Sequence, residues 1–340
     1  MPDKTLSKKL GRQMRRVGIV GTGSYVPDKI LSNEDLAGLV DTSDEWIVTR
    51  TGIKERRIAA DGQATSDLAA EAAKRALEQA EVSPGEIDLI IVATISADMF
   101  FPSTSCLVQR KLQATKAVCF DLSAACSGFL YGIEVAQQFL TTHAFETALI
   151  IGAEKLSSMV DWKDRNTCVL FGDGAAAAVL QTNSSHAGAL IASHMGSDGN
   201  LTDILSVPGG GSACPIKPEN AGDSLNTIKM QGREVYKYAV TAMRRAAEQV
   251  LEKANLTIND IALLIPHQAN LRIIEAIAER LGAPKEKVFV NLHKYGNTSA
   301  AAVAIALDEA NRSGAIKRGD YILLVAFGAG LTWAATIIQW

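Results

Sequence analysis

Cysteine is scarce and irregularly placed in this 340-residue chain: there are five, with no CxxC pair and no Cys/His spacing of a zinc ligand set. A disulfide-stapled secreted scaffold is thereby excluded, and the odd count suits a reducing cytoplasm. No apolar run reaches about 18 residues, so no membrane span is expected. Net charge is only −3, so the chain lacks the basic field of a nucleic-acid binder. The N-terminus lacks the apolar stretch of a secretory signal. Residues 1–16 instead carry Lys4, Lys8, Lys9, Arg12, Arg15 and Arg16 against one acid, Asp3. They read as a solvated, frayed tail, with a short transit peptide or an amphipathic membrane contact as alternatives. What the chain does have is apolar content, 47% hydrophobic, which allows a large core and about two domains.

The stretch Ala117–Leu140 carries the densest pattern in the chain. Ala117–Leu122 reads as a buried strand, Ser123-Ala-Ala-Cys126-Ser-Gly128 as a small-residue turn, and Phe129, Leu130, Ile133, Ala136, Phe139 and Leu140 recur at helical spacing. Cys126 therefore sits at a strand-to-helix corner. Free N–H groups and the helix dipole favour a thiolate there, lowering a cysteine pKa from about 8.5 to roughly 3.5–7.5. A buried structural cysteine is the alternative from this stretch alone.

Elsewhere, Val17–Pro27 reads as a strand entering a Gly-rich turn. Its Gly21-Thr-Gly23 is not a dinucleotide fingerprint, because Val26 stands where the third glycine would fall and Pro27 follows. Asp41–Arg57 is polar and Arg-dense around Trp46, either a solvated helix and loop or a rim that clamps an anionic, ring-bearing ligand. Thr65-Ser-Asp67 caps a helix over Leu68–Ala80. Phe100 and Phe101 occupy a surface-type turn. Residues 208–223 form a Gly- and Pro-rich insert, a lid or an idle loop.

The second half echoes the first. Ser83–Val92 reappears as Thr257–Pro266, Phe171-Gly-x-Gly174 as Phe327-Gly-x-Gly330, and Val118–Ala136 as Val288–Ala306. Two homologous α/β halves are expected, 17–185 and 186–340, joined near 183–190. In the second half, strand Ile261–Ile265 ends in Pro266-His267-Gln268-Ala269-Asn270-Leu271-Arg272, and Lys294–Ser299 forms the corner matching that of Cys126. Pseudo-two-fold packing would bring Cys126, His267 and Asn297 onto one floor between two helix starts. Each alone has a plain alternative, a core histidine or an Asn cap.

Gly21-Thr-Gly-Ser-Tyr-Val-Pro27, Asp44-Glu-Trp-Ile47, Arg50-Thr-Gly52, Ala124-Ala-Cys-Ser-Gly128, Phe171-Gly-Asp-Gly174, Pro266–Arg272 and Gly296-Asn-Thr-Ser299 together resemble the β-ketoacyl-acyl carrier protein synthase III family of the thiolase superfamily. The resemblance runs from Arg16 to Trp340. It implies an α/β, thiolase-like fold with two pseudo-symmetric halves in a layered αβαβα arrangement. It also implies initiation of type II fatty acid synthesis, by condensing acetyl-CoA with malonyl-acyl carrier protein through an acetyl-Cys126 intermediate in a cytoplasmic homodimer.

The implied roles are Cys126, His267 and Asn297 in catalysis, with the Cys126 and Ala329 amides as oxyanion hole; many relatives have Gly at Ala329. Trp46, Arg50, Thr51, Arg165 and Asn270 are implied around CoA. Gln268, Ala269, Asn270, Leu271, Arg272, Lys237 and Arg233 would meet the acidic carrier protein, although Glu279-Arg280 departs from the two Lys of some relatives. Phe327 and Phe101 are implied at the acyl pocket, Phe101 reaching into the partner subunit's tunnel and favouring a two-carbon primer. No cofactor or metal is implied. Three other readings stand beside this one: a condensing enzyme of secondary metabolism with another starter, a Cys-His-Asn hydrolase, and a nucleotide-binding scaffold.

Overall fold

Residues 15–142, 144–182 and 188–340 are described by a computed structural model in which nine strands form one mixed sheet. In chain order the strands are β1 (Val17–Tyr25), β2 (Leu89–Ala93), β3 (Val118–Leu122), β4 (Thr147–Glu154), β5 (Gly174–Thr182), β6 (Gly188–Ser197), β7 (Ile261–Pro266), β8 (Tyr321–Gly328) and β9 (Thr332–Gln339). The helices that matter here are α1 (Asp44–Thr51), α2 (Thr65–Ala80), α3 (Thr104–Leu112), α4 (Gly128–Thr141), α5 (Gly232–Ala254), α6 (Leu271–Leu281) and α7 (Ala301–Arg312). None of the described helices is long and apolar enough to cross a membrane.

The strands lie in the order β7-β8-β9-β6-β1-β5-β4-β2-β3. The seam is between β6 and β1, which share only the pairs Gly18–Ala189 and Ile19–Gly188. On one side of it the strands run third, second, fourth, fifth, first by chain position. On the other side Val288 bridges Leu264 of β7 where a third strand would lie, and the order is the same. The echo in sequence is thus an echo in topology.

Helices α4 and α7 are sandwiched between the two blocks. Phe129, Leu130 and Ile133 of α4 and Ile305 and Leu307 of α7 share one core with Ile91, Ile150, Leu263 and Leu324 from strands of both blocks. Helices α2 and α3 cover the outer face of one block, and α5 and α6 that of the other. The result is five layers, αβαβα, each sheet block buried on both faces, which is why its strands read as continuous apolar runs.

Four expectations need correction. Gly21 and Gly23 lie inside β1 and not in a turn; a Cβ on Gly23 would sit 2.3 Å from Ala76 N, so glycine lets the strand touch α2. Strand β3 is not buried: it is the sheet edge, and Val118 is 50% exposed. Its counterpart near Val288 shrinks to a single bridge, followed by a short helix, Leu292–Tyr295. Helix α2 begins at Thr65, three residues early, because the Asp67 carboxylate reaches back to accept from Ala64 N–H (2.8 Å). The 185/186 join and tail residues 1–14 lie outside the described residues.

Gly23→Val should destabilise the protein by about 3 kcal/mol, because backbone cannot yield there as a flexible side chain would. Gly85→Ala, with open space around it, should stay within about 0.5 kcal/mol of the parent. Denaturant titration of both variants checks the pair.

Candidate active site

The first corner is tightly held. A 3-10 turn, Ala125–Ser127, separates β3 from α4, with Ala125 at φ 45°. Thr332 Oγ1 donates to Ala124 O (2.8 Å), tying the turn to β9. Gly328, at the end of β8, comes so close that a Cβ would sit 2.6 Å from Cys126 N. Strand β8 of one block therefore abuts the corner of the other, which is how Ala329 comes to line the same cavity as Cys126.

The Cys126 thiol is buried and its pKa is pushed up to about 12, first by desolvation and then by the Glu154 carboxylate; the Ser299 hydroxyl and the Cys126 N–H oppose this. The expectation of a thiol ionised at rest by the helix start is not met. Removing a thiolate from water outweighs the local N–H groups at this buried corner.

From the other block come His267 and Asn297. His267 extends the parallel β7–β8 ladder by donating its N–H to Val325 O (2.8 Å). Its ring is buried, and desolvation lowers its pKa to about 4, so it is the neutral imidazole near pH 7. Its Nδ1 is buried without a partner among the described residues. Asn297 is strapped down by its backbone: its N–H donates to Leu170 O (2.8 Å) and its carbonyl accepts from Gly172 N–H (3.1 Å). Its Oδ1 accepts from Ser299 N–H (2.8 Å), which leaves Nδ2 as the donor end. Cys126, His267 and Asn297 line one cavity of about 730 Å³ with Phe171, Met243 and Phe327. A more apolar neighbouring space of about 420 Å³, walled by Ile95, Leu156, Met159, Leu205 and Val207, meets it at Cys126.

Trp46, Arg50, Thr51, Arg233, Ala269, Asn270 and Arg272 line the larger cavity toward its mouth. The Arg50 and Arg165 guanidinium carbons lie 4.4 and 5.2 Å from the Trp46 ring centroid, and Arg165 also pairs with Asp41 (3.2 Å). Asn270 caps α6 and donates from Nδ2 to Arg50 O (3.1 Å), which fixes the Arg50 backbone. Thr51 has its hydroxyl engaged within the chain, donating to Ile47 O (2.7 Å) and accepting from Ile53 N–H (3.0 Å).

Lys237, Arg233 and Arg272 are exposed; the Arg272 guanidinium carbon lies 5.8 Å from the Tyr236 centroid and Lys237 Nζ 5.3 Å from that of Tyr238. Leu271 packs in the core cluster beside α1. Gln268 is a correction. It is 1% exposed, donates to Pro266 O (2.7 Å) and Phe289 O (3.1 Å), and accepts from Asn291 N–H (2.9 Å). A side chain so engaged staples β7 to the Val288 segment and is out of a carrier protein's reach. Phe101 is 84% exposed and does not line its own chain's cavity. Sequence reasoning did not place Phe171, Glu154 or Ser299 in the site. Phe171 and Ser299 each carried a signal, as the first residue of Phe171-Gly-Asp-Gly174 and the last of Gly296-Asn-Thr-Ser299, whereas Glu154 carried none.

A histidine held neutral has a consequence for stability. In the unfolded chain it takes a proton as pH falls through about 6.5, while in the folded chain it resists to about 4. The unfolded state then binds more protons, so the contribution is complete above pH 6.5 and is lost as pH falls toward 4. His267→Ala should show a smaller drop in thermal midpoint between pH 7 and pH 5 than the parent; equal drops would contradict this.

Two family models match the chain, that described as 3-oxoacyl-[acyl-carrier-protein (ACP)] synthase III over residues 120–199 and its C-terminal counterpart over 251–340. The β-ketoacyl-[acyl-carrier-protein] synthase III of Caldanaerobacter subterraneus subsp. tengcongensis is 59% identical over 95% of this chain and 97% of its own length. The crystal structure of 3-oxoacyl-[acyl-carrier-protein] synthase III from Aquifex aeolicus superposes with a TM-score of 0.88 at 50% identity, over 95% of this chain and all of that one. The priming β-ketosynthase of the R1128 polyketide biosynthetic pathway superposes with a TM-score of 0.88 at 36% identity, covering 96% of each chain. With a thiol, a neutral imidazole and an amide donor converging in a thiolase-like fold, the chain belongs to the β-ketoacyl-acyl carrier protein synthase III family of condensing enzymes, acyltransferases of fatty acid synthesis.

Proposed function

We propose that this chain condenses acetyl-CoA with malonyl-acyl carrier protein to acetoacetyl-acyl carrier protein, through an acetyl group carried on Cys126. The observation that carries the reading is the single cavity lined by Cys126, His267 and Asn297, whose mouth holds Trp46, Arg50 and Arg272. Aromatic and guanidinium groups at the mouth suit the adenine and phosphates of CoA. Attack by Cys126 sulfur on the thioester carbonyl expels CoA and leaves an acyl-enzyme, dividing one hard step into two. Malonyl-acyl carrier protein then enters the vacated cavity.

Loss of CO2 places negative charge on the malonyl thioester oxygen. Neutral His267 and the Asn297 Nδ2 are donors that need no reorganisation, and each such donor contributes about 2.7–4 kcal/mol. The resulting carbanion attacks the acetyl carbonyl, and the Cys126 and Ala329 N–H groups receive the tetrahedral oxyanion. The exposed Arg233, Lys237 and Arg272 supply positive charge for an acidic carrier protein. A second copy of the chain would cover Val118 at the β3 edge and the exposed Phe100 and Phe101 in the loop before α3. The cytoplasm is the compartment that suits a free nucleophilic thiol.

The likeness to a priming ketosynthase of a polyketide pathway supports a second reading, the same chemistry with a different acyl starter. A panel of acyl-CoA starters with malonyl-acyl carrier protein separates the two: acetyl-CoA should lead, and turnover confined to another starter would reverse the assignment.

Mixing with acetyl-CoA should add about 42 Da to a peptide containing Cys126, and Cys126→Ala should abolish it. His267→Ala and Asn297→Ala should keep the acetylation and slow malonyl decarboxylation by about 100- to 1,000-fold each. Loss of acetylation in those two variants would contradict the division of labour.

A further inference from the structure

Glu154 is a fully buried carboxyl that the condensation chemistry above does not use. It ends β4 beside the Cys126 corner. Two residues earlier, a Cβ on Gly152 would sit 2.3 Å from Ala300 O, so the strand end abuts the residue after Ser299. Glu154 Oε2 accepts from Ser96 Oγ (2.6 Å), Thr94 Oγ1 (3.1 Å) and Ile95 N–H (3.1 Å). Oε1 has only a long contact with Ile95 N–H (3.4 Å) and so retains accepting capacity.

Ser299 stands between the blocks at φ 47°, its N–H held by Asn297 Oδ1 (2.8 Å). Its hydroxyl is buried with no hydrogen-bond partner among the described residues, it lines the same space as Cys126, and the next residue, Ala300, meets β4 two residues before Glu154; it favours the ionised form of both the thiol and the carboxyl. A buried hydroxyl without a fixed partner, on the same cavity as a thiol and beside the strand that ends in a buried carboxyl, is placed to pass a proton.

We infer that Glu154 receives the Cys126 thiol proton by way of the Ser299 hydroxyl during acylation. This rests on Cys126 being the acyl carrier. The Sγ–H bond breaks as its proton joins Ser299 Oγ, and the Ser299 proton passes to Glu154, whose carboxylate becomes a carboxylic acid. The sulfur electron pair attacks the thioester carbonyl and the carbon–sulfur bond to CoA breaks. Ser299 then donates its proton to the departing CoA thiolate and recovers one from Glu154, which restores the carboxylate and leaves neutral CoA thiol. Net charge in the pocket stays constant until CoA leaves, so no second charge is desolvated.

The surroundings agree. Burial lifts Glu154 to about 7, well below Cys126, so at neutral pH the buried charge rests on the carboxylate. His267, across the cavity, is neutral. Lys155 turns its Nζ away to Gln63 O (2.6 Å). Asp121 at the end of β3 is engaged by the N–H groups of Thr104 and Ser105, and Asp173 before β5 by those of Ala59 and Ser157.

The test is the pH dependence of Cys126 modification, by rapid-quench acetylation from acetyl-CoA and by iodoacetamide, which needs no CoA site. In the parent both rates should climb through pH 7 and level off. In Glu154→Gln the levelling should vanish and acetylation at pH 8 should fall about 100-fold, with Ser299→Ala moving the same way and Glu154→Asp restoring the plateau. A carboxylate that acts only as a repelling neighbour would give the reverse, because its removal makes the thiol more acidic; Glu154→Gln rates equal to or above the parent would overturn the relay. If Glu154→Gln does not fold, Ser299→Ala and Glu154→Asp carry the test. Absence of acetylation in the parent, with the iodoacetamide profile intact, would count against the acetyl-CoA reading and leave the relay standing.

Discussion

Backbone contact across the two sheet blocks is the constraint on which the site depends. Gly328 of one block reaches Cys126 N of the other, and Gly152 returns the contact at Ala300 O. No side chain fits at either point. These paired approaches fix where α4 and α7 begin, and therefore where their free N–H groups, the Cys126 thiol and the Asn297 amide are held.

Burial sets the protonation of the site in ways that local motifs do not. It holds His267 neutral, which is the form that can donate a hydrogen bond without adding charge. The same burial keeps Cys126 protonated in the free enzyme, so the positive end of α4 alone does not make the thiolate. Burial thus favours neutral donors and opposes a thiolate. The opposition eases if the proton moves to a group already inside, in place of solvent.

Much of this was legible in the chain. The corner at Cys126 announced itself by an apolar strand, a run of small residues and a helical period. His267 followed a strand end, and the ordered echo between the halves foretold the repeated strand order. Other features were misread for definite reasons. Gln268 sits in a polar heptapeptide that looks exposed, yet every polar atom of its side chain faces backbone. Gly21 and Gly23 look like a turn because glycine punctuates turns, whereas here it thins a strand against Ala76. Val118 looks buried because β3 is apolar, but apolar composition does not distinguish a central strand from an edge.

By itself the sequence determined the doubled α/β plan and the layered class and pointed to the Cys126 corner, because strand and helix periods, small-residue corners and repeats are local or ordered along the chain. The tertiary structure decided which residues share the cavity and which of their titratable groups burial holds neutral. Those properties come from distances between segments far apart in the chain and from exclusion of water, and neither is written in any one stretch of residues.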